Sequence, residues 1–351
     1  MKKALKRPLG KKTPNKKPTA KTSGKKTPKA KPKIALYWCA SCGGCEETVI
    51  DLDEKILDVV AAVDIVFWPC AMDFKYADLS AMAARSVDVA FINGAIRNSE
   101  QEHAAKMLRE KSKMVIAMGD CAWLGGIPAL ANLKNKESII DRAYISMETV
   151  KNDERIRPAE KSLVDGHELT LPVFYDTVYK LSDVIDVDYY LPGCPPTAKS
   201  VSEAITVILS GKLPPRGTVI GREKSLCSSC DRNETKPDNV VVERIRRIHE
   251  IESDPKLCFL AQGVVCMGPA TRDGCDFPCV KGNMPCTGCY GPMPGADQGA
   301  RMTAALGGIV QGDLEKDVEQ AIKGVVDPAG TFYRYSMAGS LLGGKRKELE
   351  K

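Results

Sequence analysis

This 351-residue sequence has few histidines: only His103, His167 and His249 are present, and none lies beside a cysteine. This scarcity argues against Cys₂His₂ zinc sites and against catalysis by a histidine proton relay. The sequence also has no run of about 18 apolar residues, so no transmembrane helix is predicted. Neither a signal peptide nor a twin-arginine signal is recognisable, which predicts a cytoplasmic protein.

Acidic residues are absent from residues 1–33, which carry 13 lysines and Arg7. The formal net charge of +6 comes from this segment, because the other 37 basic residues face 45 acidic ones. A segment of Lys, Pro, Thr, Ala and Gly buries too little apolar surface to offset the entropy of ordering. It is therefore predicted to be a disordered tail, with an electrostatic tether to nucleic acid, acidic lipid or an acidic partner as the alternative.

Apolar runs alternate with helical patterns over the next part of the chain. Strands are predicted at residues 34–38, 64–69, 87–93, 114–118 and 185–191, and helices at residues 46–63, 99–111 and 197–209. This alternation predicts an α/β fold, a doubly wound parallel sheet with helices on both faces. Residues 148–183 are predicted to be an insertion before the fifth strand, and residues 238–251 a further helix.

Four cysteines lie in loops that follow predicted strands: Cys42, Cys45, Cys121 and Cys194. Ligands of an open α/β sheet bind at the carboxyl ends of its strands, so these thiols are expected to converge on one 4Fe–4S cluster. The alternative is that they are small buried hydrophobic residues. Cys39 and Cys70 are left over, because a ferredoxin-like run starting at Cys39 needs a fourth cysteine where Val49 stands.

Cysteines dominate the chain after residue 222, where helical periodicity weakens. Eight of the 14 cysteines are Cys227, Cys230, Cys258, Cys266, Cys275, Cys279, Cys286 and Cys289. Eight thiolates suit two four-ligand sites for 4Fe–4S clusters or for zinc. Their uneven spacing and the Gly and Pro residues around them favour iron–sulfur clusters over a zinc ribbon, and disulfides are disfavoured in a cytoplasmic protein. We therefore predict a tail at 1–33, a sheet domain at 34–222 and a cysteine-rich domain at 223–351.

Six motifs together resemble the small subunit of NiFe hydrogenases over residues 34–340. They are Cys42-Gly-Gly-Cys45, Gly119-Asp-Cys-Ala122, Pro192-Gly-Cys-Pro-Pro196, Cys227-x2-Cys230, Cys266-Met-Gly-Pro269 and Pro285-Cys-Thr-Gly-Cys289. The chain is most similar to the cytoplasmic methyl-viologen-reducing type, which works with heterodisulfide reductase and does not reduce the deazaflavin coenzyme. Four motifs carry that finer likeness: Gly125-Gly-Ile-Pro128, Cys266-Met-Gly-Pro-Ala270, Cys289-Tyr-Gly-Pro292 and Asp297-Gln-Gly-Ala300.

The resemblance implies a flavodoxin-like domain, an irregular iron–sulfur domain and three 4Fe–4S clusters. The implied ligands are Cys42, Cys45, Cys121 and Cys194 for a proximal cluster, Cys275, Cys279, Cys286 and Cys289 for a medial cluster, and Cys227, Cys230, Cys258 and Cys266 for a distal cluster. Cys227 stands where many relatives have histidine. Cys279 is additional to the three cysteines that hold a 3Fe–4S cluster in many relatives, which argues for a medial cubane.

The resemblance also implies that the two subunits of the enzyme have different functions. A NiFe centre needs two CxxC pairs, one near each end of the large subunit, and this chain has no second pair near its end. The NiFe centre is therefore expected only on a partner large subunit, and no catalytic residue is expected here. A small iron–sulfur adaptor subunit and a heterodisulfide-reductase-like complex are the further expected partners.

Two other functions compete with this interpretation. A complex I-type quinone oxidoreductase subunit would have a tandem Cys-Cys in its first motif and would lack the second cysteine-rich domain. A zinc-stabilised binding protein would use the basic tail to bind nucleic acid, but the tail has no interleaved aromatic residues. We therefore do not expect a nucleic-acid partner.

Overall fold

The computed structural model describes residues 30–310 and 315–343. The predicted disordered tail lies outside the described residues, except for its last four positions. All elements described below belong to one compact unit that begins at Pro32. The division at residue 222 into two domains stays a prediction.

The strands of the described residues all lie in the first two thirds of the chain, whereas helices occur throughout. The strands are β1 (Lys33–Trp38), β2 (Asp64–Phe67), β3 (Val87–Asn93), β4 (Ile96–Asn98), β5 (Ser112–Met118), β6 (Lys161–Val164), β7 (His167–Thr170), β8 (Phe174–Tyr179) and β9 (Tyr189–Leu191). The helices are α1 (Gly44–Ile50), α2 (Lys55–Ala62), α3 (Tyr76–Ala81), α4 (Ser99–Lys111), α5 (Gly119–Leu124), α6 (Lys136–Asp141), α7 (Ala198–Ser210), α8 (Pro278–Lys281), α9 (Gln298–Gly307), α10 (Glu315–Ile322) and α11 (Pro328–Phe332). None of these described helices is long and apolar enough to cross a membrane.

Five parallel strands form the central sheet in the order β2-β1-β3-β5-β9. Numbered along the parallel strands alone, the order is 2-1-3-4-5, which is the flavodoxin-like arrangement. All five predicted strands are present, and the doubly wound α/β fold is confirmed. The last strand is shorter than predicted, because Asp188 turns its carboxylate inward to accept from Arg109 Nη1 at 2.6 Å and from Val115 N at 2.8 Å.

Apolar cores cover both faces of this sheet. On one face Tyr37 and Ile92 pack with Leu79 of α3 and Leu108 of α4. On the other face Leu36, Phe91 and Ile116 pack with residues of α1 and α7. The helix predicted at residues 99–111 is confirmed at both ends, and its first turn is capped by the Asn98 side chain, which accepts from Gln101 N at 2.9 Å. This two-sided packing leaves the carboxyl ends of the strands free for loops.

The helix predicted at residues 46–63 is wrong in its middle. The structure has two helices there, α1 and α2, separated by residues 51–54. Asp53 has a φ of 53°, a left-handed conformation that Asp tolerates better than most residues and that cannot continue a helix. Leu52, within the break, is buried and continues the apolar periodicity of the two helices. Periodicity alone therefore predicted one helix.

The helix predicted at residues 238–251 is also wrong. Within this span only the 3₁₀ turn Ile248–Glu250 is helical, and the rest is irregular or extended. Its backbone N–H groups instead bond to distant segments: Val242 N to Ile309 O, Ile245 N to Ala321 O and Arg246 N to Gly263 O, each at 2.8 Å. Three consecutive valines favour an extended chain, and these long-range bonds override the helical pattern.

Residues 148–183, predicted as an insertion, contain two different parts. Strands β6 and β7 form an antiparallel hairpin in which every residue is exposed. Strand β8 instead pairs with β4 and buries Val178 and Thr177. Only the hairpin therefore stands apart from the core as an insertion would.

Candidate metal centres

The first candidate centre lies where three parallel strands end. Cys42 and Cys45 follow β1, Cys121 lies in the first turn of α5 after β5, and Cys194 follows β9. The carboxyl ends of β1, β5 and β9 lie at one edge of the sheet, because all pairings between the sheet's strands are parallel. The structure therefore brings together the four thiols that the sequence predicted to converge.

Gly119 shows how tightly these loops pack. Its φ is +81°, and a Cβ atom at this position would overlap Cys45 Sγ and lie 3.3 Å from Gly193 O. One glycine thus touches both other cysteine-bearing loops. Only a residue without a side chain can hold this backbone conformation and leave room for the Cys45 thiol.

A pair of hydrogen bonds joins the Cys121 loop to the Cys194 loop. Asp120 N donates to Gly193 O at 2.9 Å, and Gly193 N donates to Asp120 Oδ1 at 3.0 Å. Asp120 is 1% exposed, and its Oδ2 has no hydrogen-bond partner among the described residues. Burial raises the pKa of this carboxyl group well above its usual value. Asp120 directly precedes the candidate ligand Cys121 in the sequence, which by itself could not show this bridging role.

Burial and neighbouring acidic groups raise the pKa of three thiols at this edge. Burial raises the pKa of Cys45, and Cys121, Cys194, Asp120 and Cys42 raise it further. Burial, followed by Asp120 and Cys42, raises the pKa of Cys121 to about 12; burial, Asp120, Cys121 and Cys42 raise that of Cys194 to about 12. Bringing these three thiols to the thiolate form therefore requires a compensating cation or cluster.

Cys39 and Cys70 lie near this edge but outside the set of four. Cys70 Sγ hydrogen-bonds to Glu46 Oε2, which also accepts from Trp68 Nε1 at 2.9 Å. Cys39 is buried, and burial followed by the charge of Glu46 raises its pKa. Both thiols therefore have structural surroundings of their own, in agreement with their being left over by the sequence.

A second candidate centre is a cavity of about 340 Å³ in the cysteine-rich region, here called the medial cavity. The cysteines that line it are Cys194, Cys275, Cys279, Cys286 and Cys289. Four of these are the predicted medial set, and the fifth belongs to the proximal set. Burial raises the pKa of Cys289, and Cys275, Cys279 and Cys194 are among the groups that raise it further. One thiol of the proximal set, that of Cys194, therefore also lines the medial cavity.

A third cavity, here called the distal cavity, is lined by Cys227, Cys230, Cys258 and Cys266. These are the four cysteines predicted for the distal set. Burial raises the pKa of Cys227 to about 12, and the other three thiols add to the shift. The second-region cysteines that line the medial cavity and those that line the distal cavity are thus the residues of the two predicted sets, and their role as cluster ligands stays a prediction.

Backbone N–H groups point at several of these thiols from two residues further along the chain. The pairs are Arg232 to Cys230, Gly268 to Cys266, Phe277 to Cys275 and Gly288 to Cys286. Burial raises the pKa of all four thiols, and the N–H group opposes that shift because it stabilises the thiolate. Such hydrogen bonds to sulfur are among the factors that set the potential of an iron–sulfur cluster.

The three centres follow one another in a fixed order. Cys194 of the proximal set lines the medial cavity. Leu226 and Val280 line both the medial and the distal cavity, and Met267 N donates to Cys286 O at 2.9 Å between them. The order is therefore proximal, medial, distal, with adjacent sites in contact through shared walls.

The ligand chemistry of these sites suits a multi-iron cluster. All 14 cysteines carry free thiols, so the disulfide alternative is set aside. Within residues 30–310 and 315–343, no three His, Cys, Asp or Glu side chains group closely enough to hold a single ion. The second-region sets instead surround cavities, which a cluster of several iron and sulfide atoms requires. His103, His167 and His249 are all exposed, as surface histidines are.

Comparison with known proteins identifies the family of this chain. The family model of the NADH ubiquinone oxidoreductase 20 kDa subunit matches residues 42–208, which include all four proximal cysteines. An iron–sulfur subunit of the F420-non-reducing hydrogenase of Archaeoglobus profundus is 39% identical over 89% of this chain and 98% of its own length. A subunit of the F420-non-reducing hydrogenase of Methanothermobacter thermautotrophicus is 37% identical over 88% of this chain and 96% of its own length.

A solved structure shows the same fold. It is a recombinant [NiFeSe] hydrogenase from Desulfovibrio vulgaris Hildenborough, with a TM-score of 0.50 and 16% identity over 77% of this chain and 97% of the matched chain. The oxidoreductase model stops before the second cysteine-rich region, whereas the likeness to the two F420-non-reducing hydrogenase subunits includes it. The chain therefore belongs to the family of F420-non-reducing hydrogenase iron–sulfur subunits, the small subunits of hydrogenases of the methyl-viologen-reducing type.

Proposed function

We propose that this chain is the electron-transfer small subunit of a NiFe hydrogenase and relays electrons through three 4Fe–4S clusters. The observation that carries the proposal is the continuous order of the three four-cysteine sites, in which neighbouring sites share lining residues. Electrons would pass between the NiFe centre of a partner large subunit and an acceptor at the far end. No residue of this chain would touch hydrogen itself.

The proposed ligands keep the sets predicted from the resemblance. They are Cys42, Cys45, Cys121 and Cys194 (proximal), Cys275, Cys279, Cys286 and Cys289 (medial), and Cys227, Cys230, Cys258 and Cys266 (distal). A 4Fe–4S cluster held there would take up and release one electron at a potential set by net charge, hydrogen bonds and solvent exposure. The chain's own contribution is to hold the thiols, exclude water and supply N–H groups to the sulfur atoms.

The partner large subunit would bind at the sheet edge that carries the proximal site, since the first cluster must lie nearest the NiFe centre. Exposed apolar side chains lie at this edge, at the end of β1 and in the segments that follow β2 and α5: Trp38 is 43% exposed, Met72 44% and Ile127 49%. Exposed aromatic and apolar residues of this kind typically form the buried centre of an obligate interface. Two further aromatic residues near this edge, Tyr37 and Trp68, are buried core residues, whereas Trp123 is half-buried.

The finer assignments remain part of this proposal. A cytoplasmic location, a small iron–sulfur adaptor subunit and a heterodisulfide-reductase-like complex are proposed from the family's likeness. The relatives named above are described as non-reducing toward F420, so we propose that the acceptor here is also not F420. The acceptor would bind near the distal site, at the opposite end of the relay from the large subunit.

The cubane character of the medial cluster can be tested with Cys279→Pro. Cys279 is the second residue of α8, where the backbone N–H is free of helix bonds and proline is tolerated. Loss of this fourth thiol should convert the medial cluster to a 3Fe–4S form. The oxidised enzyme should then gain the electron paramagnetic resonance (EPR) signal typical of that form, measured on the assembled complex.

Cys70→Ala is the matched control for this experiment, because Cys70 is also an exposed thiol but belongs to no four-cysteine set. The control spectrum should equal that of the unchanged enzyme. A Cys279→Pro spectrum that also equals it would show that Cys279 is a packed thiol and not a cluster ligand.

A further inference from the structure

Arg232 is a buried arginine that lines the distal cavity together with the four distal cysteines. It is 5% exposed and lies two residues after Cys230. Among the described residues, the arginines that form ion pairs are Arg109, Arg157, Arg216 and Arg222. Arg232 therefore has a buried charge without a carboxylate partner, an arrangement that costs free energy unless another negative group lies nearby.

Four hydrogen bonds hold the Arg232 guanidinium in place. Nη1 donates to Asp254 O at 3.2 Å and to Leu257 O at 3.3 Å. Nη2 donates to Val280 O at 3.2 Å and to Asn283 Oδ1 at 2.8 Å. All four acceptors are uncharged oxygen atoms, so these bonds engage the donors of Nη1 and Nη2 without neutralising the positive charge.

The loops that accept these bonds carry cluster ligands. Leu257 directly precedes the distal ligand Cys258, and Val280 directly follows the medial ligand Cys279. Arg232 thus ties its own Cys230 loop to one further distal loop and to one medial loop. Val280, which accepts one of these bonds, lines both the medial and the distal cavity.

A further contact holds this charge beside the distal thiols. The guanidinium carbon lies 4.2 Å from the centre of the Phe259 ring, a cation–π arrangement. Phe259 itself lines the distal cavity, as Arg232 and the four distal cysteines do. The buried positive charge is therefore fixed at the wall of the cavity that the four distal thiols line.

We propose that Arg232 is a positioning residue that supplies the fixed positive charge of the distal site and sets the potential of the cluster held there. This inference depends on the proposed function. A cluster with four thiolate ligands is negatively charged and gains one more negative charge on reduction. A buried cation beside it stabilises the reduced form more than the oxidised form, because opposite charges attract strongly at low dielectric. Arg232 thereby makes the distal cluster easier to reduce and favours electron flow toward it.

The test compares Arg232→Gln with Arg232→Lys in the assembled complex. Cluster potentials are measured by redox titration with EPR detection. Arg232→Gln should make the reduction equilibrium of the distal cluster about tenfold less favourable. For a one-electron couple this lowers the reduction potential of that cluster by ~59 mV. Arg232→Lys cannot form the forked hydrogen bonds, but it keeps the positive charge. Because the charge is proposed to set the potential, the distal potential of Arg232→Lys should stay closer to that of the unchanged enzyme than the distal potential of Arg232→Gln does.

Arg97→Gln is the matched control. Arg97 is also buried, with its guanidinium carbon 4.4 Å from the Phe174 ring and Nη1 bonded to Asp176 O at 3.4 Å, and it is not among the residues that line the cysteine cavities. Its loss should lower stability, as the loss of any buried arginine would, but should leave all cluster potentials unchanged. The comparison separates the electrostatic effect from a general loss of packing.

The possible outcomes test this inference separately from the proposed function. An unchanged distal potential in Arg232→Gln, with all three clusters present, would overturn the inference and leave the proposed function intact. If Arg232→Gln fails to retain its distal cluster, the lysine variant decides: a near-normal potential supports the inference, and a potential lowered by the full ~59 mV despite the retained charge refutes it. Absence of a distal 4Fe–4S signal from the unchanged enzyme would instead contradict the proposed function.

Discussion

Replacing Cys121 by serine should abolish hydrogen-dependent reduction of methyl viologen by the assembled enzyme. Cys121 is 6% exposed and lies in the first turn of α5, at the loop that packs against Cys45 and Gly193. A buried hydroxyl is a much poorer ligand for iron than a thiolate, so the proximal cluster should be lost or inactive. Electrons released on the partner subunit would then have no route into this chain.

A second activity distinguishes a broken relay from a broken enzyme. Exchange of hydrogen isotopes at the NiFe centre needs no electron path, so it should survive in Cys121→Ser wherever the complex assembles. Cys39→Ser is the matched control, because Cys39 is a buried cysteine at the same sheet edge and outside the ligand sets. Normal dye reduction by Cys121→Ser, measured per assembled complex, would refute the proximal assignment.

Gly119→Ala should remove the proximal cluster while leaving the medial and distal clusters in place. A methyl group at residue 119 would overlap Cys45 Sγ, and the φ of +81° adds roughly 1–2 kcal/mol of backbone strain for any residue with a Cβ atom. The thiol must move away, which opens one corner of the ligand set. Iron analysis with Mössbauer spectroscopy should show a loss of about a third of the cluster iron, since one of three clusters is affected.

Gly217→Ala supplies the control for backbone strain alone. Gly217 has a φ of +86°, close to that of Gly119, but a Cβ atom there would meet nothing within 4 Å. This variant should lose a similar amount of stability and keep its full iron content. If Gly119→Ala also keeps its full iron content, the proximal cluster does not depend on the position of Cys45 Sγ for which Gly119 leaves room.

The sheet, and the placement of four cysteines at one of its edges, could be predicted from the sequence because both follow from regular patterns. Apolar runs marked each parallel strand, and the strand ends placed Cys121 and Cys194 on the same sheet edge as Cys42. The rule that ligands bind at the carboxyl ends of parallel strands then connected residues that are far apart in sequence. Exact strand ends were less predictable, as the inward turn of the Asp188 carboxylate shows.

The second region was harder to predict because little of it is periodic. Its 3₁₀ turns and irregular loops are held by long-range bonds such as Val242 N to Ile309 O, which no local pattern announces. The division of eight cysteines into two sets came from the resemblance to known small subunits, not from spacing. Arg232 went unnoticed because nothing in its sequence surroundings indicates that this arginine is buried.

The measurement that tests the account most directly is the iron and acid-labile sulfide content of the anaerobically purified complex, read together with its Mössbauer spectrum. Three cubanes on twelve cysteines predict about twelve iron atoms, apart from the partner's own iron, and about twelve sulfides per chain. All of that iron should show the spectrum of 4Fe–4S clusters. Zinc in place of iron, or only about four iron atoms per chain, would contradict the three-cluster relay.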